Sequence, residues 1–201
     1  MSEVDTQREL REDLADKRVG IIGLGGLGSN VAAMLVRTGV LHLVLADFDV
    51  VDESNLNRQL YFREDIGRLK TEALADTLRR IDPDVELDLI ATRVGEAEIV
   101  AIGRRVDVLV EATDCADTKA LVMNAAAQHL PDLPCVAASG LAGLGSANTV
   151  VTTALTERLW VVGDLTSDVS TGLPLAASRV MIAAAHEAHA VVRILLGMVE
   201  P

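Results

Sequence analysis

Val19-Gly-Ile-Ile-Gly-Leu-Gly-Gly-Leu-Gly28 is the stretch that decides the fold of this chain. Small and apolar residues run into Gly23-x-Gly25-Gly26-x-Gly28, and a helical pattern starts at Ser29 and continues to Val36. A glycine fingerprint carries meaning in this strand–turn–helix context. The glycines permit a tight turn, let backbone approach a phosphate, and let the helix pack close to the strand. The free N–H groups at the helix start face the phosphate, and the helix dipole favours its charge. Asp47 follows Gly28 by 19 residues, at the end of a second apolar strand, His42 to Ala46. An acid there accepts hydrogen bonds from a ribose. Glycines and acid in one βαβ unit signal a nucleotide without separating NAD from ATP. The plainer alternative is tight helix–strand packing with no ligand.

Working outward, the segment Thr6 to Lys17 reads as a polar helix with Leu10 and Leu14 on one face. Gly39 stops the glycine helix. Asp47-Phe-Asp49-Val-Val-Asp52 leads into the polar stretch Ser54-Asn-Leu-Asn-Arg-Gln59. Helical spacing over Thr71 to Ile81 ends at Asp82-Pro83. Val85 to Ile90 alternates apolar and acidic, as a more exposed strand does. Glu96 to Gly103 reads as a short helix, Val106 to Val110 as a strand ending in Glu111-Ala-Thr-Asp114, and Asp117 to Leu130 as a helix. Val136 to Ser139 is a short strand. Ser146 to Thr153 and Leu159 to Val162 read as strands able to pair antiparallel. A polar loop, Gly163 to Pro174, precedes an Ala-rich helix from Ser178 to Leu196.

Alternating strands and helices predict an α/β, Rossmann-like, doubly wound and mostly parallel sheet, with a C-terminal antiparallel extension and helix. No repeat or low-complexity linker divides the chain, so residues 1–201 are expected to form a single domain, with 1–18 as an N-terminal helical segment. Ligands in such sheets sit at the carboxyl ends of the strands. The glycine turn, Asp47-Phe-Asp49 and Thr113-Asp114 all fall there.

Half of the residues are apolar and only 2% are aromatic, so Val, Leu, Ile and Ala must fill the core, as in a parallel sheet buried on both faces. A net charge of −12 argues against nucleic acid or an anionic membrane as the main partner. Cys115 and Cys135 form no Cys-x-x-Cys pair, which suggests neither a disulfide framework nor a zinc ribbon and makes a reducing cytoplasm the default. The polar start shows no signal peptide, and charge or glycine breaks every apolar run before membrane-spanning length.

The combined pattern resembles the ThiF/MoeB/HesA family, bacterial relatives of the ubiquitin-activating enzymes. The residues that carry the likeness are Gly23-Leu-Gly-Gly-Leu-Gly28-Ser29, Asp47-Phe-Asp49-x-Val51-x-x-Ser54-Asn-Leu-Asn-Arg58-Gln59, Gly67-x-x-Lys70 and Thr113-Asp114. The tail, through Gly172-Leu-Pro and Ala183-Ala-Ala-His186-Glu-Ala, looks like the short thiamine-biosynthesis branch. The resemblance implies ATP-dependent adenylation of the C-terminal glycine carboxylate of a ubiquitin-like sulfur carrier protein ending in Gly-Gly, with release of pyrophosphate, in thiazole synthesis for thiamine. It also implies a homodimer.

By position, the resemblance places phosphate and adenosine contacts at Gly23, Gly25, Gly26 and Gly28, and the ribose at Asp47. Arg58 and Lys70 would hold the β- and γ-phosphates. Asn55 and Gln59 would line the same pocket, and Asp114 would hold magnesium. Asp49 is a further nucleotide-site candidate, with support of the Arg58 loop as the plainer alternative. The chemistry is consistent with these roles. A carboxylate attacking the α-phosphate brings two anions together, so fixed cations and a metal must neutralise the developing charge. The carboxylate is already ionised at pH 7 and needs no base.

The chain departs from the family around Asp114. Cys115 stands where many members have Asn, and Lys119 where an Arg is usual. The Cys-x-x-Cys zinc ligands of longer relatives are absent, and no cysteine follows Cys135. The expectation is adenylation alone, with Cys135 packed, Cys115 a small buried side chain, and the Asp114 carboxylate raising the Cys115 thiol pKa. Relatives insert an arginine from the neighbouring subunit; Arg8 and Arg11 are candidates, but the motif around them does not match. His186 and His189, at i and i+3, do not have metalloprotease spacing and read as helix-surface residues. Two other functions stay open. An NAD-linked oxidoreductase leaves Arg58, Gln59 and Lys70 without a purpose, and a non-catalytic scaffold is kept alive by the changes around Asp114.

Overall fold

The structure, a computed structural model, describes residues 3–198. Parts of the expected 1–18 segment and 1–201 domain therefore lie outside the described residues. Among these residues six α-helices and seven strands follow in order: α1 (Glu3–Leu14), β1 (Arg18–Ile22), α2 (Gly28–Thr38), β2 (His42–Ala46), α3 (Lys70–Ile81), β3 (Glu86–Ile90), α4 (Glu96–Gly103), β4 (Val108–Glu111), α5 (Ala116–His129), β5 (Cys135–Ala138), β6 (Val151–Ala154), β7 (Leu159–Gly163) and α6 (Ala177–Leu195).

The strands form one sheet in the order β3-β2-β1-β4-β5-β7-β6. All pairs are parallel except β6 with β7, so the expected antiparallel extension is present. β3, whose acidic alternation predicts exposure, is one edge. The chain runs outward from β1 to β3 and then returns to place β4 on the other side of β1. This reversal opens a crevice at the carboxyl ends of β1 and β4.

The central strands are apolar throughout because both faces are covered. Leu14 of α1 packs with α2, α3 and α6 on one face, around Ile21, Leu43 and Val110. On the other face Ile99 and Ile102 of α4 and Val122 and Ala125 of α5 pack on Ile22, Val44 and Leu109. α2 ends where Gly39 takes the left-handed conformation at φ 115°, and its N–H returns to Leu35 and Val36. α3 ends at Asp82, before Pro83, as its sequence predicts.

One stretch differs from expectation. Ser146 to Val150 does not join the sheet. Residues 147–149 form a 3₁₀ turn capped by Ser146, whose hydroxyl accepts from the Asn148 N–H at 3.3 Å. A local side-chain acceptor competes with ladder pairing and here displaces it. Among the described residues no helix is long and apolar enough to cross a membrane.

Candidate nucleotide site

A cavity of about 610 Å³ lies at the carboxyl ends of the strands, within the range usual for small-molecule sites. Gly23, Gly25 and Gly26, the Asp47–Asp49 strand end, Arg58, Gln59, Lys70 and Thr113–Cys115 contribute to its wall. Gly28 and Asn55 stand outside it.

The glycines have different physical reasons. Gly23 has φ +90°, and a Cβ there would lie 2.7 Å from the Ala112 carbonyl oxygen. At Gly28 a Cβ would come within 1.9 Å of the Gly23 carbonyl, so α2 can start this close to β1 only without a side chain. Gly26 would press on Val180 of α6 at 2.9 Å. Gly25 differs. Its backbone is ordinary, and a Cβ added there would meet nothing nearer than Gln59 Nε2 at 3.8 Å. Neither the fold nor the packing demands glycine at 25. On its open side Gly25 presents bare backbone at the start of α2 to the cavity, where an anion would meet free N–H groups.

Leu24, between these glycines, is fully buried and pins the turn; such burial contributes about 1.5–3 kcal/mol. Asp47 pins it again. Its Oδ2 accepts from the Leu24 N–H at 2.7 Å and its Oδ1 from the Asp49 N–H at 2.8 Å. Burial pushes the Asp47 carboxyl up, against the opposing pull of these two N–H groups and of the Lys70 charge. Lys70 opens α3 and is itself buried. Its Nζ donates to Asp49 Oδ2 at 2.8 Å and stands 4.0 Å from Asp47 Oδ2. Asp49 thus orients the lysine.

The Ser54–Gln59 stretch is locked onto the glycine helix by residues that sequence reasoning passes over. Asn30 Nδ2 donates to the Gly26 carbonyl at 2.7 Å and to the Arg58 carbonyl at 3.1 Å. The Ser29 hydroxyl donates to the Gly25 carbonyl at 2.6 Å and accepts from the Leu60 N–H at 3.0 Å. The Tyr61 hydroxyl donates to the Leu24 carbonyl at 2.8 Å. The available signal is Ser29-Asn30, a polar pair on a helix whose next residues are apolar. Asn55 serves the turn: its Oδ1 accepts from the Asp52 N–H at 3.0 Å, in a capping box with Asp52. The Arg58 guanidinium rests on Asn57 Oδ1 at 2.8 Å and the Ser54 carbonyl at 3.2 Å, with no carboxylate partner among the described residues. Gln59 lines the cavity, and its buried Oε1 has no hydrogen-bond partner among the described residues.

Across the crevice, β4 ends at Glu111, which is 1% exposed. Its Oε1 accepts from the Thr113 N–H at 2.8 Å and the Thr113 hydroxyl at 2.6 Å, and its Oε2 pairs with Lys119. Asp114 is exposed on the cavity wall, and no side-chain hydrogen bond from the described residues holds it. One free carboxylate suits magnesium, which takes few protein ligands and shares the rest with phosphate and water. Among the described residues no cluster of three or more metal-ligating side chains occurs.

Cys115 corrects the sequence reading. It is exposed, not buried, and it occupies the N-cap of α5. The Thr118 N–H and hydroxyl and the Asp117 N–H lower its thiol pKa, opposite to the direction expected from Asp114. Cys135 is buried as expected, and burial pushes its thiol up to about 11.

The ThiF family model matches residues 3–199, nearly the whole chain. This chain belongs to the ThiF family. Over 144 residues it is 41% identical to the sulfur carrier protein ThiS adenylyltransferase of Escherichia coli, covering 71% of this chain and 56% of that protein. It is 39% identical over 105 residues to the molybdopterin-synthase adenylyltransferase of the same organism, covering 52% of this chain and 42% of the relative. The chain thus spans about half the length of these curated ThiF-family proteins. Among solved structures, the E. coli tRNA threonylcarbamoyladenosine dehydratase TcdA in complex with ATP superposes with a TM-score of 0.84 at 20% identity, over 94% of this chain and 89% of that one. The ThiF-type Rossmann fold is therefore shared.

Proposed function

We propose that this protein binds ATP in the cavity and adenylates the C-terminal glycine carboxylate of a ubiquitin-like sulfur carrier protein, releasing pyrophosphate. One observation carries the reading: the same cavity presents the bare backbone of Gly25, where neither fold nor packing needs a glycine, and an arginine without a carboxylate partner among the described residues. Its relatives named as ThiS and molybdopterin-synthase adenylyltransferases supply the substrate class.

In this reading the glycine turn and the N–H groups at the start of α2 take the phosphates, and Asp47 takes the ribose while holding Leu24. Arg58 offers planar, bidentate donors to the β- and γ-phosphates, and Lys70 a point charge fixed by Asp49. Gln59 Oε1 accepts from the nucleotide. Asp114 would hold magnesium, which would add positive charge beside the phosphates. The incoming carboxylate attacks the α-phosphate without a base, and the fixed cations stabilise charge on the departing pyrophosphate. Thiamine thiazole synthesis is the pathway we favour, on the ThiS relative and the tail motif. A homodimer, a single domain over 1–201 and a cytoplasmic location complete the proposal.

The test is carrier-dependent exchange of labelled pyrophosphate into ATP. An NAD-linked activity predicts instead that NAD, and not ATP with magnesium, raises the thermal midpoint.

A further inference from the structure

The cations of the cavity stand on two sides. Arg58 is tied by its carbonyl to Asn30 of α2, and its side chain lies beside Gly26 and near Val180 of α6. Both helices cover one face of the sheet. Lys119 belongs to the first turn of α5, which covers the opposite face, and it too lines the cavity. The glycine turn lines the same cavity.

Lys119 is built into place. Its partner Glu111 is buried at the end of β4, with one oxygen occupied by Thr113 and the other by the lysine. A third of the Lys119 side chain stays exposed, so the ammonium keeps donors for a ligand. Glu187 of α6 is fully buried, with neither carboxyl oxygen partnered among the described residues. Burial, and then the Glu111 charge, holds its carboxyl well above the usual carboxylate range, against the pull of the Lys119 charge.

Adenylation is an in-line displacement. One carboxylate oxygen forms a bond to the α-phosphorus, the bond from that phosphorus to the bridging oxygen breaks, and pyrophosphate leaves with the electron pair. Attacking and leaving oxygens lie on opposite sides of the phosphorus. With the leaving group held at Arg58, the nucleophile arrives from the α5 side. We propose that Lys119 is the cation that receives the terminal carboxylate of the carrier, and that Glu111 is its positioning residue. This rests on the proposed adenylation. It assigns the nucleophile's subsite, a site for an anionic Gly-Gly carboxylate, to a residue outside the nucleotide contacts.

The test uses two probes on the full chain: α,β-methylene ATP with magnesium, and N-acetyl-glycylglycine added to the nucleotide-bound protein, both by calorimetry. In the parent the peptide binds saturably. Lys119→Met weakens the peptide by about tenfold or more, the loss of one charge-assisted contact, and leaves nucleotide affinity within about twofold. Lys119→Arg restores peptide binding. Glu111→Gln weakens the peptide without changing nucleotide affinity or the need for magnesium. If Lys119→Met proves unstable because it strands a buried acid, the double variant Glu111→Gln, Lys119→Met leaves no unpaired charge and reads the same loss. Equal peptide affinity in parent and Lys119→Met, a matching loss of nucleotide affinity, or no peptide binding to a nucleotide-loaded parent each overturns the assignment. A parent that binds no nucleotide overturns the adenylation reading itself.

Discussion

The Asn30 side chain donates to the Arg58 carbonyl at 3.1 Å, across 28 residues of sequence. With its second bond, to the Gly26 carbonyl, it holds the phosphate turn and the arginine segment as one unit. Asn30 itself is buried, so its amide would lose both partners if either segment moved. Asn30→Ala should therefore cost about 1–3 kcal/mol of stability, read by urea unfolding, and weaken ATP further by freeing Arg58. Parental ATP affinity in this variant would show that Arg58 reaches its place unaided.

This bond also marks what the sequence can tell. The strand–turn–helix at Val19–Gly28, the Gly39 and Asp82-Pro83 stops and the acidic alternation of β3 are written locally, in periods of 2 and 3.6 and in turn chemistry, and the structure bears them out. The candidate residues Arg58, Lys70 and Asp114 are legible as a motif. How they are held is not. Asn30, Ser29 and Tyr61 act through contacts between segments far apart in the chain, and no local period encodes those. Glu111 holds Thr113 and Lys119, near it in sequence, but that pairing follows only from how the end of β4 meets the start of α5. Cys115 misleads because its nearness in sequence to Asp114 is plain, while the N–H groups of the following helical turn come into view only in the fold. Ser146–Val150 misleads because its pattern suits a strand and a 3₁₀ turn alike over so few residues.

Gly25 and Gly28 should separate binding from folding. Gly25→Val keeps the fold, since the site has room and an ordinary backbone, yet places a branched side chain where phosphate must approach. Gly28→Ala drives a methyl into the Gly23 carbonyl and should lower the thermal midpoint sharply. Circular dichroism with ATP calorimetry checks both. A folded Gly25→Val that binds ATP like the parent would remove the nucleotide from this turn.

Glu187 should make stability fall as pH rises. Its folded-state pKa is raised by burial first and by Glu111 second, so the folded chain keeps a proton that the unfolded chain releases near the ordinary carboxylate value. The native state then binds more protons, and stability drops by up to about 1.4 kcal/mol per pH unit from that value up to the raised one. Glu187→Leu, neutral at every pH, should flatten this slope in urea midpoints taken between about pH 5 and 8. An unchanged slope would mean that Glu187 does not hold its proton.

Cys115 should react before Cys135. It is exposed and its thiol is lowered by Thr118, whereas burial pushes Cys135 up to about 11. Iodoacetamide should label Cys115 selectively, more slowly in Thr118→Val, and ATP with magnesium should protect it because it lines the cavity. Mass spectrometry reads the site. The double variant Cys115→Ser, Cys135→Ala should still support pyrophosphate exchange; its loss, with a carrier–enzyme thioester found on the parent, would assign covalent chemistry to this cysteine.

The most direct test of the central claim is exchange of labelled pyrophosphate into ATP with magnesium and a purified sulfur carrier ending in Gly-Gly. The parent should catalyse exchange only with the intact carrier, and a carrier lacking its last glycine should give none. Arg58→Ala and Lys70→Ala, folded by circular dichroism, should each lower the rate by about 30- to 1000-fold, the loss of roughly 2–4 kcal/mol of phosphate stabilisation. Exchange at near-parental rates in both variants, or equal exchange without the carrier's glycine carboxylate, would contradict adenylation at this site.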